Sequence, residues 1–176
     1  IFAGQIKTWN DPKIAAINEG ANLPNQSITA VHRADDSGTT ENFTDYLHEA
    51  APKVWTAEPD GEWPFKGGEA APQTSGVVDA VSNGNGTIGY ADHSAIGTAT
   101  AATINKVAFS QEAATAAFAA GAVANPTATG DLSQKFDYSK LTGTDVYPIP
   151  LISYQIVCTT YKDAKQATLA KSFIGF

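Results

Sequence analysis

The segment VHRADDSGTTENF, residues 31–43, places one arginine, two adjacent aspartates and a Ser-Gly-Thr step in a single short connection. The residues that lead into it, SITAVHR (27–33), alternate apolar and polar positions as a strand does, and Arg33 stands at the carboxyl end. From Ser37 onward, apolar residues at positions 43, 46, 47 and 50 follow the spacing of one helix face. The segment therefore predicts a strand, a tight loop and a helix.

Strand and helix signals alternate along the rest of the chain. Helices are expected over IFAGQIKTW and DPKIAAIN (1–9 and 11–18, with Asp11 as N-cap and Pro12 in the first turn), SGVVDAVSNG (75–84), QEAATAAFAAGA (111–122, capped by Ser110) and the residues after Asp163. Strands are expected in GTIGYAD (86–92), TINKVAF (103–109) and YPIPLISYQIVCTT (147–160), and ANPTATGD (124–131) is expected to be a turn-rich connection. This alternation favours an α/β layer architecture with a mixed or mostly parallel sheet.

The amino-acid composition argues against some classes of function. The chain has 176 residues and a formal net charge of -7, with 11 Lys and Arg against 18 Asp and Glu and no basic run. A nucleic-acid partner would require clustered cations, so this class is set aside. No stretch approaches the roughly 20 apolar residues of a membrane-spanning helix. The abrupt ends, Ile1-Phe2 and the apolar Ser172 to Phe176, suggest a domain excised from a longer protein.

The loop between the predicted strand and helix has the chemistry of an anion site. Gly38 allows close approach of a ligand to the backbone, Ser37 and Thr39 add hydroxyl donors, and the first N–H groups of a helix have no intrahelical partner. Arg33 can present two parallel N–H donors to a phosphate or carboxylate. The alternative is an ordinary strand-to-helix turn on the surface, with Ser37 as an N-cap.

The two aspartates oppose the binding of an anion, because carboxylates repel anions. Asp35 is close enough in sequence to orient Arg33 through an ion pair. A carboxylate beside donors also discriminates between ligands, since a protonated oxyanion can donate to it and a fully deprotonated one cannot. The two aspartates therefore indicate that the site selects a protonated oxyanion over a fully deprotonated one.

These residues carry a resemblance to a known family. VHRADDSGTTENFTDYL, preceded by IFAGQIKTWNDPKIAAIN and followed by GTIGYAD, resembles the phosphate-binding proteins of the bacterial high-affinity phosphate ABC importer. The resemblance extends over nearly the whole chain, through Trp63-Pro64 and the YPI at Tyr147. It implies that Arg33, Ser37, Gly38 and Thr39 bind phosphate and that Asp35 pairs with the arginine.

The resemblance also implies a fold and a setting. The fold is that of one lobe of a periplasmic-binding-protein-like (type II) protein, a mixed and mostly parallel sheet flanked by helices, with residues 1–176 as a single α/β lobe. Family members bind phosphate between two lobes, and no stretch here matches the first lobe, so half of the site is expected. The implied partners are inorganic phosphate, the missing lobe and ABC permease subunits, outside the cytoplasm and with a lipid anchor carried elsewhere. Asp36 departs from the small residue, often Gly, that is common at its position.

Other motifs are interpreted as structural. Gly84, Gly86 and Gly89 spell G-x-G-x-x-G, but a helix precedes this motif and a strand follows it, the reverse of the dinucleotide-binding order, so no cofactor is expected. His32, His48 and His93 are too scattered for a metal site, and His32 is expected to pack in the core or behind the site. Cys158 is expected to be a small buried strand residue, and Trp9, Trp55 and Trp63 are expected to be packing residues.

Two classes of function remain open at this point. One is a non-catalytic solute-binding lobe that closes on phosphate with its partner lobe. The other is a phosphatase or phosphoryl-transfer enzyme with Asp35 or Ser37 as nucleophile. Such an enzyme needs a base or metal that activates the nucleophile, and the sequence shows neither.

Overall fold

Strand β1 (Thr29–Arg33) lies at the centre of a three-stranded parallel sheet, between β2 (Glu69–Ala71) and β3 (Thr87–Ile88). The computed structural model describes residues 1–124, 126–127 and 131–175. In the sheet, Val31 is paired with Glu69 and Thr29 with Thr87. Because all three strands run the same way, their carboxyl ends lie at one edge, and this is the edge that carries Arg33.

Helices cover both faces of this sheet. Helix α3 (Gln73–Asn83) packs its buried Val77 against Val31 of β1 and Ala71 of β2. Neighbouring residues of a strand point to opposite faces, so His32 lies on the other face, where its ring stacks on Trp63 at 4.9 Å between centroids. Helix α2 (Gly38–Ala50) belongs to that aromatic layer, because its buried Phe43 stacks on Tyr90 at 4.5 Å.

The second half of the chain forms a smaller group of elements. Helix α4 (Gln111–Gly121) leads into the antiparallel pair β4 (Ala122–Ala124) and β5 (Gln134–Phe136). Its core contains Ala117, Leu141 and Val146. The Oη of Tyr138 donates a hydrogen bond to Asp45 of α2 at 3.0 Å, and this bond connects the two groups. The short helix α1 (Pro12–Ala15) and helix α5 (Ala164–Ile174) complete the fold.

The predicted fold class is confirmed: the fold is α/β with a mostly parallel sheet flanked by helices. Four predicted helix starts are also found, since Asp11, Ser37, Ser110 and Asp163 each accept a hydrogen bond from a backbone N–H of the first turn. The predicted strand 86–92 is found as the two residues of β3.

A search of the described residues finds no helix with the length and apolar character that a membrane span requires. The predicted connection 124–131 lies partly outside the described residues.

The prediction of a helix over residues 1–9 is wrong. The segment forms turns, with Gly4 at a φ of +73°. Its carbonyl and amide groups pair with the chain ahead of β1 instead, because Ile28 N–H donates to Lys7 O at 2.8 Å and Trp9 N–H to Gln26 O at 2.9 Å. A long-range pairing thus replaces the local hydrogen bonds of a helix.

Two strand predictions are also wrong. In TINKVAF, Ile104 and Val107 close a tight turn around Asn105 and Lys106, which have φ values of 51° and 68°. In YPIPLISYQIVCTT, residues 147–160, no strand forms and Cys158 is exposed. This segment has strand-like residues but joins no sheet in the structure, and β-propensity alone does not make a sheet.

Candidate functional site

Arg33 and Asp35 form an ion pair at the carboxyl end of β1. The Nε of Arg33 donates to Oδ1 of Asp35 at 3.0 Å, and Nη2 donates to Oδ2. This two-point contact with the arginine is the main cause that lowers the pKa of Asp35 below its usual range, and it raises the pKa of Arg33. The side chain of Arg33 is 11% exposed and that of Asp35 is 39% exposed. The arginine is therefore held in one geometry by a charged partner.

The amino terminus of α3 contacts both members of this pair. The backbone N–H of Gln73 donates to Oδ1 of Asp35 at 2.9 Å, which lowers the pKa of Asp35 further. The hydroxyl of Thr74 accepts a hydrogen bond from Nη1 of Arg33 at 3.3 Å. Gln73 has a φ of 57°, in the left-handed region that costs a residue with a Cβ about 1–2 kcal/mol. The chain turns sharply into α3 at this point.

Helix α2 begins directly beside the arginine. Ser37 is its N-cap, and the serine Oγ accepts from the backbone N–H groups of Thr39 at 3.2 Å and Thr40 at 3.4 Å. A serine oxygen that accepts in this way keeps its own hydroxyl proton for a ligand. Within the described residues, no hydrogen bond involves the N–H of Gly38 or the hydroxyl of Thr39. This helix end therefore offers donors and the positive end of the helix dipole.

Tyr90 joins β1 to α2 behind the site. Its Oη accepts from the backbone N–H of Arg33 at 3.1 Å and is 2.7 Å from Oγ1 of Thr40. Burial of the ring raises the pKa of Tyr90, so its hydroxyl stays neutral. Thr40 is fully buried. The three groups fix the position of the strand end relative to the helix start.

The site opens into a cleft of about 960 Å³. Its lining includes Arg33, Ser37, Gly38, Thr39 and Thr74, together with Gln134, Lys135, Phe136 and residues 151–154. Asp36 is exposed and also lines the cleft. Its carboxylate lies close to the backbone of Gly61, since a Cβ added at that glycine would be 2.0 Å from Oδ1 of Asp36. With Glu41, Asp45 and Asp92 on the same walls, the cleft holds more acidic than basic side chains.

The residues predicted from the sequence lie together in this structure. Arg33, Ser37, Gly38 and Thr39 line the cleft, and Asp35 contacts the arginine as expected from their spacing. Thr74 and Tyr90 were missed. The predicted helix began at residue 75, two residues after the observed start of α3, so it excluded Thr74. Their contacts with Arg33 span 41 and 57 residues, and nothing in the local sequence signals them.

The glycine motif, His32 and the tryptophans lie where they contribute to packing and backbone contacts. Gly84 ends α3 and Gly89 packs under Val77 and Val81, so the glycine motif follows a helix and enters a strand as expected. The Nδ1 of His32 contacts the carbonyl of Arg33 at 2.9 Å. Trp55 is buried, and Trp63 stacks between aromatic neighbours. Among the described residues, no three His, Cys, Asp or Glu side chains are grouped so that they could hold a metal ion.

Comparison with known proteins gives consistent matches. The chain is 35% identical over 192 residues to phosphate-binding protein PstS 3 of Mycobacterium leprae (strain TN), covering 99% of this chain and 49% of that protein. It is 42% identical over 96 residues to phosphate-binding protein PstS of Pasteurella multocida (strain Pm70), covering 53% of this chain and 27% of that protein. The chain thus spans about half the length of the mycobacterial relative, and less of the second.

A solved structure and a family description agree with these relatives. The fold is similar to that of a high affinity periplasmic phosphate-binding protein (PfluDING) bound with phosphate, with a TM-score of 0.63 and 26% identity over 98% of this chain and 53% of that one. The family described as PBP superfamily domain matches residues 1–176. With a parallel sheet, helices on both faces and a polar site at the carboxyl end of β1, the chain belongs to the PBP superfamily domain family.

Proposed function

We propose that this chain is one lobe of a solute-binding protein and supplies half of a site for inorganic phosphate. The observation that carries the proposal is the placement of Arg33, held by Asp35, beside the first turn of α2. A fixed guanidinium and the free donors of a helix amino terminus converge on one opening. That combination suits a tetrahedral oxyanion, which accepts hydrogen bonds in several directions.

The proposed ligands are Arg33, Ser37, Gly38 and Thr39, with Asp35 as the partner of the arginine. Hydrogen bonds from Arg33 and from the N–H of Gln73 partly neutralise the negative charge of Asp35, and this reduces the repulsion between the aspartate and an anion. Its exposed fraction of 39% leaves a carboxylate edge that can accept a hydrogen bond from the hydroxyl of hydrogen phosphate. Sulfate has no such proton at neutral pH, so the same edge disfavours it.

The names of its relatives support a proposal for the setting of this lobe. Proteins named phosphate-binding protein PstS match the chain, and a periplasmic phosphate-binding protein shares its fold. We place the chain outside the cytoplasm, in a protein whose second lobe completes the site and which delivers phosphate to ABC permease subunits, with a lipid anchor outside residues 1–176. Closure of two lobes on a ligand is the hinge motion of such binding proteins.

Binding without chemistry is the function that these contacts favour. The Oγ of Ser37 interacts with the backbone N–H groups of its own helix, as an N-cap does, and Asp35 is engaged by Arg33. Among the described residues, the Ser37 hydroxyl has no hydrogen bond to a side chain that could act as its base, and the ion pair with Arg33 restrains the Asp35 carboxylate. A phosphatase assay with p-nitrophenyl phosphate, with and without divalent cations, should show no turnover by the chain.

The binding proposal is tested by chemical modification, because Arg33 is the single arginine of the sequence. Phenylglyoxal attacks guanidinium groups, so an arginine adduct found by mass spectrometry identifies this residue alone. Phosphate at millimolar concentration should slow the modification several-fold, and sulfate at the same ionic strength should protect much less. Equal protection by phosphate, sulfate and chloride would mean that the site does not select phosphate. Urea-unfolded chain, in which no protection is expected, is the control.

A further inference from the structure

We propose that Thr74, at the start of α3, is a positioning residue for the anion-binding arginine and determines which guanidinium N–H groups face the ligand. This inference rests on the proposed function. Thr74 lies 41 residues from Arg33 in sequence, yet its Oγ1 is 3.3 Å from Nη1 of that arginine and it lines the same cleft. Its role is to hold a group that contacts the ligand.

Counting the guanidinium donors supports this role. Arginine has five N–H groups in a planar fork. In the described residues, Asp35 accepts from Nε and from Nη2, and Thr74 accepts from Nη1. Since each terminal nitrogen carries two N–H groups, one on Nη1 and one on Nη2 are left. When Thr74 accepts the Nη1 hydrogen that points away from Nη2, the two remaining hydrogens are parallel, and a phosphate can take both while the other three hydrogen bonds stay in place.

The threonine supplies what Asp35 alone cannot. The contact with Asp35 involves the Nε and Nη2 edge only, so Nη1 would have no protein partner and the guanidinium could tilt about that edge. Thr74 holds the opposite corner and prevents the tilt. Because α3 also donates the Gln73 N–H to Asp35, both members of the ion pair are tied to the same helix end. The sharp turn at Gln73, with its φ of 57°, brings the N–H and the neighbouring hydroxyl to the pair together.

Two substitutions separate the hydroxyl from the shape of the side chain. Thr74→Val keeps the branched shape and removes the acceptor, and Thr74→Ser keeps the acceptor. We expect phosphate affinity, followed by amide shifts in NMR titrations, to fall about tenfold in Thr74→Val, as for the loss of one hydrogen bond to a charged group. It should remain within about twofold of the unmodified chain in Thr74→Ser, which is well below one such bond. Thr115→Val, at an exposed position of α4, is the control for threonine replacement.

The guanidinium itself provides a readout that general destabilisation does not move. With one arginine in the sequence, the chain gives a single arginine Nε–H signal, and rotation about the Cζ–Nη bonds can be measured on it without ligand. Rotation of Nη1 should be several-fold faster in Thr74→Val than in the unmodified chain, and Thr74→Ser should restore slow rotation. Circular dichroism and amide spectra confirm that each variant is folded.

The possible failures are distinguishable. If neither the unmodified chain nor the chain fused to a second lobe binds phosphate, the proposed function is wrong, and the rotation measurement alone then decides the positioning role. If phosphate binds and Arg33→Ala abolishes binding, but Thr74→Val binds like the unmodified chain with unchanged Nη rotation, the positioning role is wrong. If Thr74→Val does not fold, unchanged affinity and rotation in Thr74→Ser support the role, and faster rotation in Thr74→Ser contradicts it.

Discussion

At the scale of single residues, Arg33 and Asp35 act as a unit. The aspartate fixes two corners of the guanidinium, and the guanidinium is the main cause of the lowered pKa of the aspartate. A change in one residue therefore alters the charge state or the position of the other. The consequence is that their contributions to phosphate affinity should not be independent.

A double-mutant cycle measures this coupling in a two-lobe protein. The chain would be fused to the half of Mycobacterium leprae PstS 3 that it does not match, and phosphate affinity measured by calorimetry. Arg33→Ala removes two charge-assisted hydrogen bonds, each roughly 1.5–3 kcal/mol, and leaves Asp35 as an uncompensated negative charge, so affinity should fall by at least about two decades. In Asp35→Asn, repulsion falls and the arginine is freed, so the change should be small.

The double variant is the informative one. It should bind better than the sum of the two single losses predicts, because the isolated carboxylate is gone. Strict additivity would show that the Arg33–Asp35 contact is not maintained in solution. Lys53→Ala, an exposed position beyond the far end of α2, removes one positive charge away from the site and serves as the control for net charge.

At the scale of elements, Tyr90 shows how β1 and α2 are held together. Tyr90→Phe removes the hydroxyl that contacts the Arg33 N–H and the buried Thr40 hydroxyl while it keeps the ring that stacks on Phe43. Buried groups left without partners cost about 1–3 kcal/mol, so the free energy of unfolding in urea should fall by about that amount. Tyr161→Phe, where the hydroxyl accepts an exposed N–H from Cys158, should change it by less than about 0.5 kcal/mol. Equal losses in the two variants would contradict a special role for Tyr90.

The same scale shows which features could be predicted from the sequence. Elements set by local chemistry were predicted, as at Ser37 and Ser110, where a side chain caps the helix that follows it. Elements set by a distant partner were not: residues 1–9 look helical but pair with the chain ahead of β1. The contacts of the candidate site follow the same distinction between neighbours in sequence and distant partners. Arg33 and Asp35 are two residues apart and were expected to meet, whereas the contact with Thr74 depends on how α3 packs on β1.

At the scale of the whole molecule, large apolar side chains are exposed at several positions, and most of these positions follow residue 130. Ile156 is 94% exposed, and Leu169 and Phe173 of α5 are 70% and 66% exposed. Helix α5 has no buried residue, so it contributes little to the core that surrounds the site. These faces are available for the second lobe in the proposed two-lobe protein, where burial of apolar area would stabilise its association with this lobe.

The last prediction concerns the affinity of this lobe alone. It supplies only part of the proposed donor set, and each charge-assisted hydrogen bond that the second lobe would add is worth roughly 1.5–3 kcal/mol, so a few missing bonds weaken binding by several decades. The folded 176-residue chain should therefore bind phosphate weakly, with shifts at Gly38 and Thr39 in NMR titrations and no measurable heat at micromolar concentration. The fusion to the mycobacterial half should bind tightly, and Arg33→Ala in the fusion should reverse the gain. Tight binding by the chain alone would mean that the donors on α2 and Arg33 complete the site without a second lobe.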